Sequence, residues 1–196
     1  MVLNKGQRKT LSSVRRLIKS KVWSEVKLGL SLIDSVGDPQ LWSILGDGVS
    51  INEDGVIHLG KGEITKRVKA EHRDNVALYA AKHCGLLDQC SVLNFIRCTS
   101  ISDLTPLEGL STLTSLQFLY CSSLVDLGPL RCVENLTVLN LACCRAVQDI
   151  RPLSGLPHLE TLNLEATSLS DLSPLATIKT LRSLVLSSTE PDFATL

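Results

Sequence analysis

Cysteine and histidine are the residues of this chain best suited to nucleophilic or metal chemistry. The 196 residues include seven cysteines and four histidines, and one histidine, His83, directly precedes Cys84. A histidine base can activate a thiol as a nucleophile. Adjacent residues of a helix point in different directions, however, so this pair is not expected to act together. Zinc sites commonly draw on C-x-x-C pairs, and the sequence contains none.

Other short motifs reproduce fragments of catalytic signatures without the remaining parts. His72, Arg73 and Asp74 match three letters of the kinase catalytic loop, but Tyr79 stands where that loop requires asparagine. The glycine pairs within residues 46–48 and 60–62 lack the spacing of a phosphate-binding loop. We therefore expect no enzyme activity, no catalytic residue, no cofactor and no bound metal.

Composition and charge exclude several classes of protein. Twenty basic and twenty acidic side chains give no net charge, so no overall field draws the chain to nucleic acid, and no nucleic-acid partner is expected. The sequence contains no run of 18 apolar residues, so insertion into a membrane is not expected. With no signal peptide evident and an odd number of cysteines, we expect reduced thiols and a cytoplasmic location.

The charge is unevenly distributed along the chain. The first 90 residues carry an excess of four positive charges and the remainder an excess of four negative charges. The first 24 residues hold seven Lys and Arg side chains and no acid. One interpretation is a basic arm that contacts phosphates or an acidic partner, and the other is a solvated helix face.

One pentapeptide, D-L-x-P-L, with Ile150 in place of the first leucine in the third copy, occurs four times in the second half of the chain. Its aspartates are 23, 23 and 22 residues apart. They are Asp103, Asp126, Asp149 and Asp171. Proline fixes φ and lacks a backbone N–H, so this segment is expected to turn away from a sheet, with the aspartates stabilising the turn.

The same apolar spacing precedes each pentapeptide. In the third copy the residues are Leu136, Leu139, Leu141, Cys144, Val147 and Ile150. The spacing, found over residues 90–189, resembles the leucine-rich repeat pattern, and its length is similar to repeats of the phosphatase-regulator and internalin type. The resemblance implies an α/β fold: a curved solenoid with one parallel sheet on its concave face. The turn that follows each strand, where the family usually has Asn, carries Cys or Thr in this chain.

A single repeat is too small to fold alone. Six apolar positions contribute roughly 10 kcal/mol at about 1.5–3 kcal/mol each, whereas ordering some 22 residues costs about 1–2 kcal/mol per residue. Contacts between neighbouring repeats must therefore supply the difference. Leu116, Leu139 and Leu162 are expected to align on adjacent parallel strands.

The first part of the chain has no repeat and is predicted to be mainly helical. Helices are expected over residues 12–21, 25–36, 38–46 and 73–87, with a hairpin at 49–59 and a loop or linker at 60–72. Residues 1–88 would form a helical region with a small hairpin, either a cap on the solenoid or an independent domain. Residues 89–196 would form a solenoid of about five repeats, the last incomplete.

The period of two places alternate strand residues on the concave face. This face is mostly neutral, with an amide row and apolar side chains near one end. The candidate partner-binding residues are Asn94, Ile96, Gln117, Leu119, Tyr120, Asn140, Asn163 and Glu165. We expect a non-enzymatic module that binds a protein partner here. The alternative is a structural subunit that self-associates through its C-terminal repeat.

Overall fold

Five parallel strands in chain order form the main sheet of the protein. The computed structural model describes residues 4–36, 49–59 and 70–187. The sheet consists of β3 (Val92–Ile96), β4 (Ser115–Leu119), β5 (Val138–Asn140), β6 (Thr161–Asn163) and β7 (Ser183–Val185). It is preceded by the helices α1 (Lys5–Leu17), α2 (Trp23–Val36) and α3 (Arg73–His83), and by a hairpin of β1 (Val49–Ile51) and β2 (Ile57–Leu59).

The strands stack in exact register, as the sequence predicts. Leu116 pairs with Leu139, and Leu139 pairs with Leu162. All three side chains are fully buried, and they belong to one hydrophobic cluster that runs through the repeats. The prediction of an α/β solenoid with a single parallel sheet is therefore confirmed.

The D-L-x-P-L segment forms the return from each strand. The aspartate Oδ1 accepts a hydrogen bond from the backbone N–H two residues later in all four copies. A short 3₁₀ helix then begins with proline near its first position. These helices are Thr105–Leu107, Gly128–Cys132, Arg151–Gly155 and Ser173–Thr177. The aspartates are thus turn formers, as predicted.

The helical region has its own hydrophobic cluster, and its helix boundaries differ from those predicted. The prediction of a first helix over residues 12–21 is wrong, because α1 begins at Lys5, where Asn4 and Gln7 form a capping box. Helix α3 ends at His83 rather than at residue 87, because Gly85 adopts a positive φ that ends the helix. The predicted helix at 38–46 and residues 60–69 of the predicted loop lie outside the described residues.

Helix α3 joins the helical region to the solenoid. Its Leu78 and Ala81 belong to the solenoid cluster, whereas Val76, Tyr79 and Ala80 pack with α1 and α2. One side of α3 therefore packs in the core of the solenoid, and the other side packs in the core of the helical region.

The hairpin also contacts the first strand of the sheet. Val56 forms a parallel bridge with Asn94, and the N–H of Asn94 donates to the carbonyl oxygen of Gly55 at 2.8 Å. Gly55 has a φ of 76°, and a Cβ at this position would lie 2.3 Å from the carbonyl oxygen of Val92. Only glycine permits this approach.

A buried amide anchors the start of α3 to the first repeat. Asn75 is fully buried, and its Oδ1 accepts hydrogen bonds from the N–H groups of Ser102 and Asp103 at 2.9 and 3.1 Å. Its Nδ2 donates to Ser102 Oγ. Asp74 and Ser100 exchange two further hydrogen bonds of 2.8 Å. These bonds fix the helix on the turn that follows β3.

Asp103 also connects the helical region to the first repeat. Its Oδ2 accepts hydrogen bonds from Lys27 Nζ at 2.7 Å, Tyr79 OH at 3.1 Å and Trp23 Nε1 at 3.2 Å. Burial opposes ionisation of Asp103, but hydrogen bonds from Lys27 and Thr105 outweigh it and lower the pKa of the carboxyl to about 2. The first aspartate of the repeat series therefore binds α2 through Lys27 and Trp23 and α3 through Tyr79.

Leu139→Ala should lower the free energy of unfolding by about 2–5 kcal/mol, because it removes a fully buried side chain from the middle of the stack. The neighbouring Val138 is half-buried on the opposite face, so Val138→Ala should cost less than about 1 kcal/mol. Urea denaturation followed by circular dichroism measures both. Equal destabilisation by the two changes would contradict the stacked arrangement.

Asp103→Asn should destabilise the protein by about 1–2 kcal/mol at neutral pH. The folded pKa of Asp103 lies below the unfolded value of 3.8. Its stabilisation is therefore present above about pH 4 and is lost as the pH falls toward about 2. Urea denaturation at several pH values should show the difference from wild type shrinking over that window. Asp126→Asn, which changes the equivalent aspartate of the next repeat, should have a smaller effect; a pH-independent loss for Asp103→Asn would refute the assignment.

Candidate interaction surface

The predicted amide row lies in register across the sheet. Asn94 pairs with Gln117 on β4, Gln117 pairs with Asn140, and Asn140 pairs with Asn163. All four are half-buried and alternate with fully or almost fully buried neighbours along their strands. The sequence therefore places these residues correctly on the concave face.

Three of these amides also hold the protein's own backbone, which sequence reasoning missed. The Oδ1 atoms of Asn140 and Asn163 accept hydrogen bonds from the N–H groups of Ala142 and Glu165, each at 2.9 Å. The Nδ2 of Asn94 donates to the carbonyl oxygen of Asp54 in the hairpin. The Oδ1 atoms of Asn140 and Asn163 thus bind the backbone just beyond β5 and β6, and the side chain of Asn94 binds the hairpin turn.

The backbone turns sharply just beyond each of the first four strands of the main sheet, β3 to β6. Four non-glycine residues at the same repeat position have φ values of 52–61°; they are Arg97, Tyr120, Cys143 and Ala166. The N–H of each donates to a carbonyl oxygen of the following repeat, at 2.7–3.1 Å. Left-handed backbone is unfavourable for residues with a Cβ, so these bonds between repeats help to maintain it.

The cysteines that follow this position stabilise the turn. The thiols of Cys121 and Cys144 donate to the carbonyl oxygens of Phe95 and Phe118 in the preceding repeat, each at 3.3 Å. Thr167 takes the same position in the next repeat, and its hydroxyl donates to the carbonyl oxygen of Leu164 at 2.7 Å. Sequence analysis assigned these residues to the turn, and the contacts confirm that assignment.

Two of the three turn cysteines, Cys98 and Cys121, lie in surroundings that disfavour the reactive thiolate, whereas the hydrogen bond with Cys121 lowers the pKa of Cys144. Burial raises the pKa of Cys98 to about 12. The neighbouring Cys144 thiol and burial together raise the pKa of Cys121. Because the thiolate is the reactive form, Cys98 and Cys121 act as structural residues.

The two most exposed apolar side chains of the concave face, Ile96 and Tyr120, lie near one end, and the less exposed Val185 lies at the other. We define the apolar corner as Ile96, Leu119 and Tyr120. Ile96 pairs with Leu119 across β3 and β4, and both Ile96 and Tyr120 are 53% exposed. The guanidinium carbon of Arg97 lies 5.9 Å from the centre of the Tyr120 ring, within the range of a cation–π contact.

A rigid aromatic layer supports the corner from inside. Phe95 and Phe118 stack with ring centres 4.9 Å apart and an interplanar angle of 12°, and both are buried. Glu165 is exposed two repeats away from the corner. The predicted site is therefore one face with three parts: the apolar corner, the amide row and a separate acidic residue.

The histidines of the other sequence motifs, His72 and His83, lie among contacts within the helical region and the first repeat. His72 is buried, and the carboxylate of the following Asp74 binds the backbone of Ser100. His83 pairs through Nδ1 with Asp34 at 3.1 Å, and burial lowers the pKa of His83. Within the described residues, no group of three or more His, Cys, Asp or Glu side chains is arranged to hold a metal. The glycine motifs at 46–48 and 60–62 lie outside those residues.

Across residues 4–36, 49–59 and 70–187, no helix combines the length and apolar character needed to cross a membrane.

Comparison with known proteins relates part of the chain to a repeat family and its fold to a solved structure. The family described as "Leucine Rich repeats (2 copies)" matches residues 134–177. The crystal structure of the internalin InlF from Listeria monocytogenes superposes with a TM-score of 0.51 at 17% identity, covering 93% of this chain and 56% of the internalin. This chain thus spans just over half of that protein.

A second internalin structure and the curated proteins give no further support for a relationship. InlC2 of Listeria monocytogenes gives a TM-score of 0.38 at 28% identity, covering 55% of each chain. No curated protein matches the sequence significantly. The matched repeats, the stacked parallel strands and the structural similarity to InlF lead to one conclusion: the chain has a leucine-rich repeat solenoid fold similar to that of the internalins.

Proposed function

We propose that the protein is a non-enzymatic interaction module whose concave face binds a protein partner, with the apolar corner as the anchor. The observation that carries the proposal is the adjacent exposure of Ile96 and Tyr120, each 53% exposed, whereas the exposed apolar residues of the last strand, Leu184 and Val185, are 39% and 38% exposed. A leucine-rich repeat solenoid supports protein interaction in general.

The corner has the physical properties of an interface anchor. Complete burial of a large apolar side chain contributes about 1.5–3 kcal/mol. Because Ile96 and Tyr120 are each about half exposed, about half of that free energy is still available to be gained when a partner covers them. Tyrosine and arginine are common among residues that dominate binding energy. The stacked and buried Phe95 and Phe118 pack on the inner side of the same strands, so the strand backbone that carries the corner is held in place before a partner binds.

The remaining concave residues would surround this anchor. Gln117, Asn140, Asn163 and Glu165 offer polar contacts along the sheet, whereas Asn94 contributes less because its amide binds the hairpin. The rim of an interface is typically polar. We propose that residues 1–88 cap the solenoid rather than bind this partner, because α3 and the hairpin cover its first strand.

A cytoplasmic location is part of the same proposal. All seven cysteines are free thiols, which is the usual state in a reducing compartment.

Self-association through the C-terminal repeat is a second candidate. Leu184 is 39% exposed, although its register partner Leu162 on β6 is fully buried. An exposed leucine on an edge strand can pair with another chain. Light scattering at increasing protein concentration tests this candidate: a rising mass supports it, and a constant monomer mass contradicts it.

Ile96→Asp combined with Tyr120→Asp should abolish partner binding, because each change places a carboxylate in the apolar anchor. We expect at least a tenfold loss of the captured partner, as two anchor residues contribute about 1–3 kcal/mol each. The measurement is affinity capture from native lysate with the tagged full chain, quantified by mass spectrometry.

Val125→Asp is the matched control. Val125 is 59% exposed and lies outside the concave strands, so the same chemical change there should leave capture unaltered. Circular dichroism should show that all three chains are folded. An identical set of captured proteins for wild type, the double variant and the control would reject the apolar corner as the site.

A further inference from the structure

Helix α1 presents one face that carries only cations and serine. Lys5, Lys9, Ser12 and Arg16 are exposed, and their spacing of four, three and four residues places them on the same side of a helix. The opposite side carries Leu11 and Val14, which are buried against the neighbouring helices. We define the cationic face as Lys5, Lys9 and Arg16; it extends for roughly 16 Å at about 1.5 Å per residue.

The three cations of this face have no acidic partner in the described part of the chain. Lys5, Lys9 and Arg16 form no ion pair there, and α1 has no acidic residue in its first turn. Lys27 of α2 provides a contrast, because it pairs with Asp103 at 2.7 Å. Closely spaced like charges on a helix repel one another, so an anionic surface placed against them would relieve that repulsion.

The residues that follow α1 add both charge and an apolar side chain. Lys19 and Lys21 are exposed, and Val22, next to Lys21, is 52% exposed. An apolar side chain among cations gains nothing from a row of phosphates alone. It gains from a lipid headgroup layer, which it can enter beside the charged contacts.

The aromatic residue of this segment is not available for stacking on bases. Trp23 donates its Nε1 to Asp103, and its ring packs against His72 and Tyr79. Binding to single-stranded nucleic acid usually depends on such stacking. The arrangement therefore favours lipid over nucleic acid.

We propose that the cationic face of α1 binds the surface of a membrane containing anionic phospholipids, with Lys19, Lys21 and Val22 extending the contact. Each Lys or Arg near such a surface raises membrane partitioning about fivefold. The contact is peripheral, because the apolar side of α1 is already occupied by α2 and α3.

Vesicle co-sedimentation of the full chain tests the proposal. The chain should bind phosphatidylcholine vesicles containing about 30% phosphatidylserine and should not bind pure phosphatidylcholine vesicles. Raising the salt from about 0.1 M to about 0.5 M should release it, because the screening length shortens. Lys9→Glu with Arg16→Glu should weaken binding at least tenfold, and Lys9→Gln with Arg16→Gln should weaken it less.

The matched control moves the same charge change to the solenoid. Arg145→Glu with Lys179→Glu alters two exposed residues and changes the net charge equally, so it should leave vesicle binding near that of wild type. Equal losses for the two reversed pairs would overturn the proposal, since net charge alone would then explain the binding. Binding of wild type to a short duplex DNA but not to the vesicles would overturn it in favour of nucleic acid. Absence of binding to anionic vesicles at low salt would also overturn it.

Discussion

Stacking of each repeat on its neighbours is the constraint from which the rest of the molecule follows. A strand of three to five residues cannot bury its own side chains, and the leucines of β4, β5 and β6 become buried only because they lie in register. The turns between strands also make this stacking possible. Each D-L-x-P-L turn leads the chain back to the sheet, where the next strand pairs with the preceding one. The concave face is rigid as a consequence of this packing.

The repeating part of the fold was predictable because its information is local. The pentapeptide, the leucine spacing and the turn cysteines recur at a fixed period, so each copy supports the interpretation of the others. The start of α1 was missed because residues 5–11 are mostly polar and give a weak apolar signal. The Asn4 and Gln7 pair was the available indicator of that start.

Contacts distant in sequence set the limit of prediction at the candidate site. Asn94 has the same pattern position as Gln117 and Asn140, yet the hairpin 40 residues earlier binds its amide. Asp103 belongs to the same pentapeptide as Asp126, but only Asp103 receives Lys27, Trp23 and Tyr79. No local pattern distinguishes these residues from their equivalents in other repeats, because the distinction comes from the element packed against them.

The position of α3 has a consequence for how the chain loses its structure. One side of this helix completes the core of the solenoid and the other side completes the core of α1 and α2. Loss of α3 would expose apolar surface on both at once. Melting of the first helices and fraying of the first repeat are therefore coupled events, and the two regions share a single cooperative boundary although only one of them is repetitive.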